Sequence, residues 1–460
     1  MALSSQAVES LRSAIAGDVL LPGESGYDEA RRPWNLAVDE RPALAVTVRS
    51  AADVVEAVRF ARAQGMRIAP QGSGHGAAPL QSLEGAMLIR TLAMRQVAID
   101  PAARTARVEA GALWRDVTVP AAAHGLAALA GTAPTVGVVG YTLGGGLGWL
   151  ARRFGLAANS VTAADIVTPD GRLVHADSDH EPDLLWTVRG GGGGVGVVTA
   201  LEFTLYPVRE IYAGTLFFPI QRSAQILAAW REWTDTLPDA VTSQGRILRV
   251  PSLPSVPEQL RGRDFVTVEA ACIGDATAGA ELIKPLRQLG PEIDTLAIIP
   301  APELERLHMD PEDPVPFDGD GALLTDFPAA AIDALVSLAG PDSGTSLENI
   351  EIRQLGGRLA LADSGGGPQA KMTAGFLIFS NGIAPTPDRA SAVRADARAL
   401  NDALASWRAE HDEFNLRQPP VPASCVLSPA SFRRLQEIKA KYDPEEAIIS
   451  AHPAWPAQIH

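Results

Sequence analysis

The sequence predicts an α+β fold, in which small units of strand, helix and glycine loop come first and longer helices alternating with strands follow. The prediction rests on a β-α-β pattern over 43–70, on glycine clusters that recur up to Gly196, and on the change of texture after Pro207, where longer helices alternate with strands. With 460 residues, 46% hydrophobic and 20% charged, the chain can bury a large core and has the length of two or three domains. Its net charge of −15 works against binding a phosphate backbone, so nucleic acid is not an expected partner. Cys272 and Cys425 lie far apart with no CxxC, which supports neither a disulfide framework nor a cysteine metal site. No basic stretch leads into an apolar run at the start, and the expectation is a cytoplasmic protein without a membrane span.

Taken in order, residues 43–49 read as a strand and Ser50-Ala51-Ala52-Asp53 as a helix cap. Val54, Ala57, Val58 and Ala61 recur at helical spacing, and Gly65 is the expected stop. A strand over 66–70 then runs into Gln71-Gly72-Ser73-Gly74-His75-Gly76. Glycines let a backbone come close to a ligand, and a cofactor lying on this loop would meet the imidazole of His75. A turn with a solvated or capping histidine reads the same residues equally well. Further strands are expected over 88–91, 97–100 and 105–110, and a helix over 113–123 despite Pro120.

Seven glycines fall between Gly131 and Gly148, ahead of a short helical stretch at 149–154. Such a run exposes backbone N–H groups, which a pyrophosphate needs where no basic patch is supplied. The interleaved Val136, Val138, Val139, Leu143 and Trp149 argue against a flexible linker. A hairpin over 161–175 turns at Thr168-Pro169-Asp170-Gly171. Gly191, Gly193 and Gly196 have the spacing of a dinucleotide fingerprint, but Val197, Thr199, Leu201, Phe203 and Leu205 alternate as a strand. That motif must open a helix, so a Rossmann-type nicotinamide enzyme is not expected. Beyond Pro207, helices over 224–233, 276–289, 329–338 and 388–407 alternate with strands over 265–272, 349–355 and 374–380. Residues 310–326 read as a surface loop and 431–442 as the last helix.

Together the loop at 71–75, Gly131-Thr132-Ala133-Pro134-Thr135-Val136-Gly137, Gly144-Gly145-Gly146-Leu147-Gly148, Phe154-Gly155-Leu156-Ala157-Ala158-Asn159, the glycine run after Arg189, Gly196-Val197-Val198-Thr199 and the late Tyr442-Asp443-Pro444 and His452-Pro453 resemble the berberine-bridge-enzyme-like flavoproteins of the vanillyl-alcohol oxidase superfamily. The resemblance implies a PCMH-type FAD-binding domain of two α/β subdomains over 1–207, with its core at about 39–207. It further implies a substrate-binding domain over 208–424, with an antiparallel sheet covered by helices, and a segment over 425–460 that returns to the FAD domain.

By the same resemblance His75 bonds covalently to the 8α-methyl group of FAD, within a loop of Gln71, Gly72, Ser73, Gly74 and Gly76. Thr132, Ala133, Pro134, Thr135 and Val136 border the flavin, and Ala133 stands where doubly bonded relatives carry cysteine, which implies a single bond. Gly140, Gly144, Gly145, Gly146 and Gly148 would lie along the pyrophosphate, with Asn159, Ser160, Val198 and His452 near other parts of the cofactor. Gly194-Val195 replaces the Asn-Phe usual in the family. The implied reaction takes hydride from an alcohol or amine carbon of a small molecule and passes the electrons to O2; a dehydrogenase with another acceptor and a flavin-binding protein without its base are the alternatives. The assembly implied is a monomer or homodimer. For the base, Glu413 stands where many relatives have tyrosine, and Asp363 is a second candidate. Along the strand at 349–355, Arg353 and Gln354 are candidate substrate binders on opposite faces.

Overall fold

A computed structural model describes residues 3–80, 82–254, 256–362 and 365–454, and it places them around three sheets. The first has strand order Asp18–Leu20, Leu44–Thr47, Met87–Arg90, Ile68–Gln71, and is parallel except for its first pair. Met87–Arg90 is buried along its whole length, as a parallel strand covered on both faces must be. Helix Ala51–Ala63 packs Val54, Ala57, Val58 and Ala61 against this sheet, and its cap is the expected one: Ser50 Oγ accepts from the Asp53 N–H at 3.2 Å. Ile68–Gln71 delivers the chain directly into the histidine loop.

The second sheet is antiparallel, in the order Val97–Asp100, Thr105–Glu109, Val197–Thr204, Val161–Val167, Leu173–Ala176. The strand after the five-glycine run is therefore real, and the fingerprint spacing there opens no helix. A helix that the sequence pattern did not announce, Val138–Leu143, lies inside the glycine-dense region.

The third sheet is larger and antiparallel, with the path Ile293–Asp294, Glu210–Pro219, Asp264–Cys272, Val241–Arg249, Asn349–Gln354, Phe376–Ile383, Phe317–Leu324. Alternation along its strands separates two faces. Val266, Val268, Ala270, Ile350 and Ile352 pack into the core formed with helices Ser223–Thr234, Ala276–Arg287, Ala329–Ala339 and Pro387–Ala403. The intervening Arg246, Glu269, Asn349, Glu351 and Arg353 form a polar face.

The expected surface loop at 310–326 needs correction. Its second half is the edge strand Phe317–Leu324, paired along its length with Phe376–Ile383. Asp318-Gly319-Asp320-Gly321 has loop composition, but a Cβ on Gly319 would lie 2.3 Å from the Ser380 carbonyl oxygen, so the glycine is there to let two strands approach.

The last helix, Pro429–Tyr442, leads the chain back to the first sheet, where Ile448 bridges to Ile68. Its buried Lys439 donates to Asp443 Oδ2 at 2.5 Å, to the Gly194 carbonyl at 2.6 Å and to the Ile448 carbonyl at 3.3 Å. Truncating one member of a buried charge pair strands the other, at a cost of about 3–5 kcal/mol. Lys439→Met is expected to lower the free energy of unfolding by about that amount, read from urea denaturation. An unchanged midpoint would show that the tie contributes nothing. Among the described residues no helix is long and apolar enough to cross a membrane, and no cluster of metal-ligating side chains occurs.

Candidate functional site

A cavity of about 410 Å³ opens between the glycine loops and the polar face of the large sheet. Gln71, Gly72, Ser73, Gly74, His75 and Gly76 line one wall, Thr132, Ala133, Val136 and Gly140 another, and Gly192–Gly194, Val198 and His452 a third. His75 is half-buried and stacks on Trp34, with ring centroids 3.9 Å apart and planes 16° from parallel. Its Nε2 is 3.3 Å from Thr135 Oγ1. Burial, opposed in part by the Thr135 backbone, pushes the imidazole down to about 3, so the ring is neutral and keeps a nucleophilic lone pair at neutral pH.

The glycines divide into two groups by what stands opposite them. A Cβ on Gly76 or Gly140 would meet no protein atom within 4 Å, and both lie on the cavity wall. Backbone bare toward a large cavity fits a cofactor that lies close against the chain, and FAD is of that kind. The glycines expected to lie along a pyrophosphate are not all on the cavity wall. Gly145, Gly146 and Gly148 are not in the cavity wall: their missing side chains make room for Gln369 Oε1, for the Tyr141 ring, and for the Ala130 carbonyl, which would be 1.8 Å from a Cβ on Gly148. Gly144 lines the cavity and also packs on Asn415. Asn159 is likewise away from the cavity, with its amide 3.5 Å from the Ala370 carbonyl. Pro134 uses its carbonyl to accept from the Arg115 N–H, and Thr135 reaches the site only through His75.

Across the cavity stands the loop carrying Glu413. Its carboxylate accepts from the N–H of Asn415 and of Leu416, both at 2.6 Å, and Asn415 in turn donates to the Tyr141 carbonyl at 3.0 Å. Burial raises Glu413 to about 7; the two N–H groups and Arg417 oppose this and Asp412 adds to it. One lone pair on each oxygen remains for a substrate proton. Asp363 lies outside the described residues.

The polar face of the sheet supplies the last wall, through Asn349, Glu351 and Arg353, joined by Asp310. Arg353 pairs with Glu351 at 3.0 Å, His308 sits between Glu351 Oε2 at 3.0 Å and Glu269 Oε2 at 2.7 Å, and Arg246 reaches Glu269 at 3.1 Å. Burial and Arg246 would lower His308, but Glu269, Asp310 and Glu351 prevail and hold it at about 9. Glu351 is driven well below the ordinary carboxylate range: burial alone would raise it, but Arg353 and His308 outweigh that. A carboxylate locked in its ionised form is a poor proton acceptor, so this network serves as a fixed polar wall. Gln354 faces the other way and donates to the Thr234 carbonyl at 2.8 Å. The alternation in 349–355 separates Arg353 from Gln354 without saying which of them meets the cavity, and nothing local in the sequence marks His308, Asp310 or Trp34.

Comparison with known proteins gives this architecture its relatives. Residues 42–177 match the family described as FAD binding domain. The chain is 36% identical over 202 residues to (R)-6-hydroxynicotine oxidase of Paenarthrobacter nicotinovorans, a match that spans 44% of this chain and under half, 44%, of that relative. It is 29% identical over 467 residues to an uncharacterized FAD-linked oxidoreductase of Bacillus subtilis, spanning 94% of this chain and 97% of the relative. Among solved structures, 6-hydroxy-D-nicotine oxidase from Arthrobacter nicotinovorans superimposes with a TM-score of 0.82 at 25% identity, covering 94% of this chain and 96% of that one. A BBE-like protein of Physcomitrella patens shares the fold, with a TM-score of 0.84 at 19% identity over 98% of this chain and 100% of its own. The chain thus carries an FAD-binding domain over 42–177, resembles an FAD-linked oxidoreductase over nearly its whole length, and shares the berberine-bridge-enzyme-like fold.

Proposed function

We propose that this enzyme is an FAD-dependent oxidase that holds its cofactor by one covalent bond, through His75, takes hydride from an alcohol or amine carbon of a small molecule, and returns the electrons to O2 with hydrogen peroxide formed. The observation that carries the reading is the position of the His75 imidazole on the wall of a glycine-lined cavity, with Ala133 where a second bond would need a thiol. Neither cysteine lines the cavity. When bound, FAD supplies the two-electron acceptor. The chain's own residues do the rest. Glu413 takes the proton from the substrate O–H or N–H, Arg353, Glu351 and Asn349 orient polar groups of the substrate, and the apolar Phe379 and Leu147 help to exclude water.

Anaerobic mixing with a panel of sugars, alcohols and amines tests the reaction, by bleaching of the flavin band and its return with peroxide when air is admitted. Bleaching that recovers only with an artificial acceptor would replace the oxidase reading by a dehydrogenase. Failure of every compound to bleach the band would favour a binding protein without its base.

The cradle has its own test. Gly140→Ala introduces a methyl group that meets no protein atom, so the unfolding free energy should stay within about 0.5 kcal/mol, while retention of FAD weakens. Gly148→Ala should do the opposite in kind, since its methyl runs into the Ala130 carbonyl; a loss of about 1–3 kcal/mol or more is expected. Equal stability of the two variants would refute the division of glycines drawn above.

A further inference from the structure

We propose that Trp34 and Thr135 are positioning residues for covalent attachment of the flavin, together holding the His75 ring in the one orientation from which it can bond. The inference rests on the reading of His75 as the attachment point.

Two independent restraints act on the same ring. The stack on Trp34 fixes the plane of the imidazole, and the contact of Nε2 with Thr135 Oγ1 fixes its rotation within that plane. Trp34 is itself held rigidly. It is buried, its backbone N–H donates to the Ser73 carbonyl at 2.9 Å, and the backbone N–H of the next residue, Asn35, donates to the Gly74 carbonyl at 3.4 Å. Gly74, with φ of +83°, has no space for a side chain, because a Cβ would lie 2.7 Å from Pro33 Cβ. The segment 33–35 is thus laid directly on the histidine loop. From the other side, the Phe317 ring meets Trp34 edge-on at 6.1 Å, the Phe317 N–H donates to Asn35 Oδ1 at 3.2 Å, and Val315 bridges to Asn35. A chain segment distant in sequence therefore clamps the tryptophan from behind.

Rigidity of this kind matters for bond formation more than for binding. In attachment, an N–C bond forms between the imidazole and the 8α-carbon of FAD, one imidazole N–H and one methyl C–H are lost, and the two protons and two electrons released pass to a two-electron oxidant, dioxygen in air, as hydrogen peroxide. The step needs a lone pair aimed at one carbon, and a displacement of about 1 Å can cost about 10²-fold in rate. Non-covalent FAD binding, spread over the glycine walls, has no such requirement.

The test follows the time course of attachment in the full chain. Wild type, Trp34→Ala, Trp34→Phe and Thr135→Val are incubated with FAD in air. Total bound flavin is read from native absorbance, and covalent flavin from the fluorescence of the denatured chain on a gel. Trp34→Ala should bind FAD yet attach it at least ~10-fold more slowly, Thr135→Val should also be slowed, and Trp34→Phe, which keeps a stacking face, should recover most of the rate. Attachment by Trp34→Ala at the wild-type rate overturns the proposal. If Trp34→Ala does not fold, an unslowed Thr135→Val overturns it. A wild-type chain that never retains flavin on denaturation overturns the His75 reading itself, and the positioning role with it, which distinguishes the two failures.

Discussion

Replacing His75 by alanine is expected to change flavin retention from complete to none. Acid-precipitated wild-type protein should stay yellow, and the His75→Ala precipitate should be colourless with all its flavin in the supernatant. The expectation follows from the contents of the cavity. Ala133 offers no nucleophile, neither Cys272 nor Cys425 lines the cavity, and the other imidazole on its wall, His452, is engaged with the Phe414 ring and the Val421 carbonyl, so His75 is the expected attachment point. The variant should still bind FAD through the glycine walls, because Gly76 and Gly140 present open backbone independently of the imidazole. Loss of the flavin from acid-treated wild type would rule out the covalent bond and leave the FAD-binding domain untouched.

Replacing Glu413 by glutamine should slow flavin reduction by about 10²–10⁴-fold, the usual contribution of a positioned base. Glutamine keeps the shape of the side chain and, through its oxygen, one of the two backbone hydrogen bonds, so flavin content should be preserved. The pH dependence has a definite sign. Burial raises the carboxyl to about 7, and a base acts in its ionised form, so the wild-type rate should fall as pH drops below about 7 and level off above it. In Glu413→Gln this acid limb should vanish. A variant that reduces its flavin at a near wild-type rate would remove Glu413 from the reaction; Asp363→Gln and substitutions at Tyr141 would then be the next to examine.

The two walls of the cavity were unequally legible. The histidine loop could be read because strand, glycine and histidine are neighbours in sequence, and the strand Ile68–Gln71 delivers them together. The polar wall could be read only in part: period-two alternation puts Glu351 and Arg353 on one face, but it does not say which face meets the cavity. Register supplies that answer. Pairing of Arg246 with Glu351 and of Gln244 with Glu269 brings the charges of three strands onto one surface, and His308 enters from a connection far from all of them.

By itself the sequence determined the order and kind of most elements, since helix and strand periods, caps and turns depend on residues a few positions apart. It also determined the chemistry available at the loop, one imidazole among glycines. Only the tertiary structure decided which glycines open on the cavity. Gly140 and Gly148 stand in one run and look alike in sequence, yet one opens on the cavity and the other holds a space for the Ala130 carbonyl, because a glycine's role depends on what the fold places opposite it. The same reason applies to His75. Its neighbours in sequence are glycines that cannot hold a ring, and the surfaces that do hold it, Trp34 and Thr135, arrive from elsewhere in the chain.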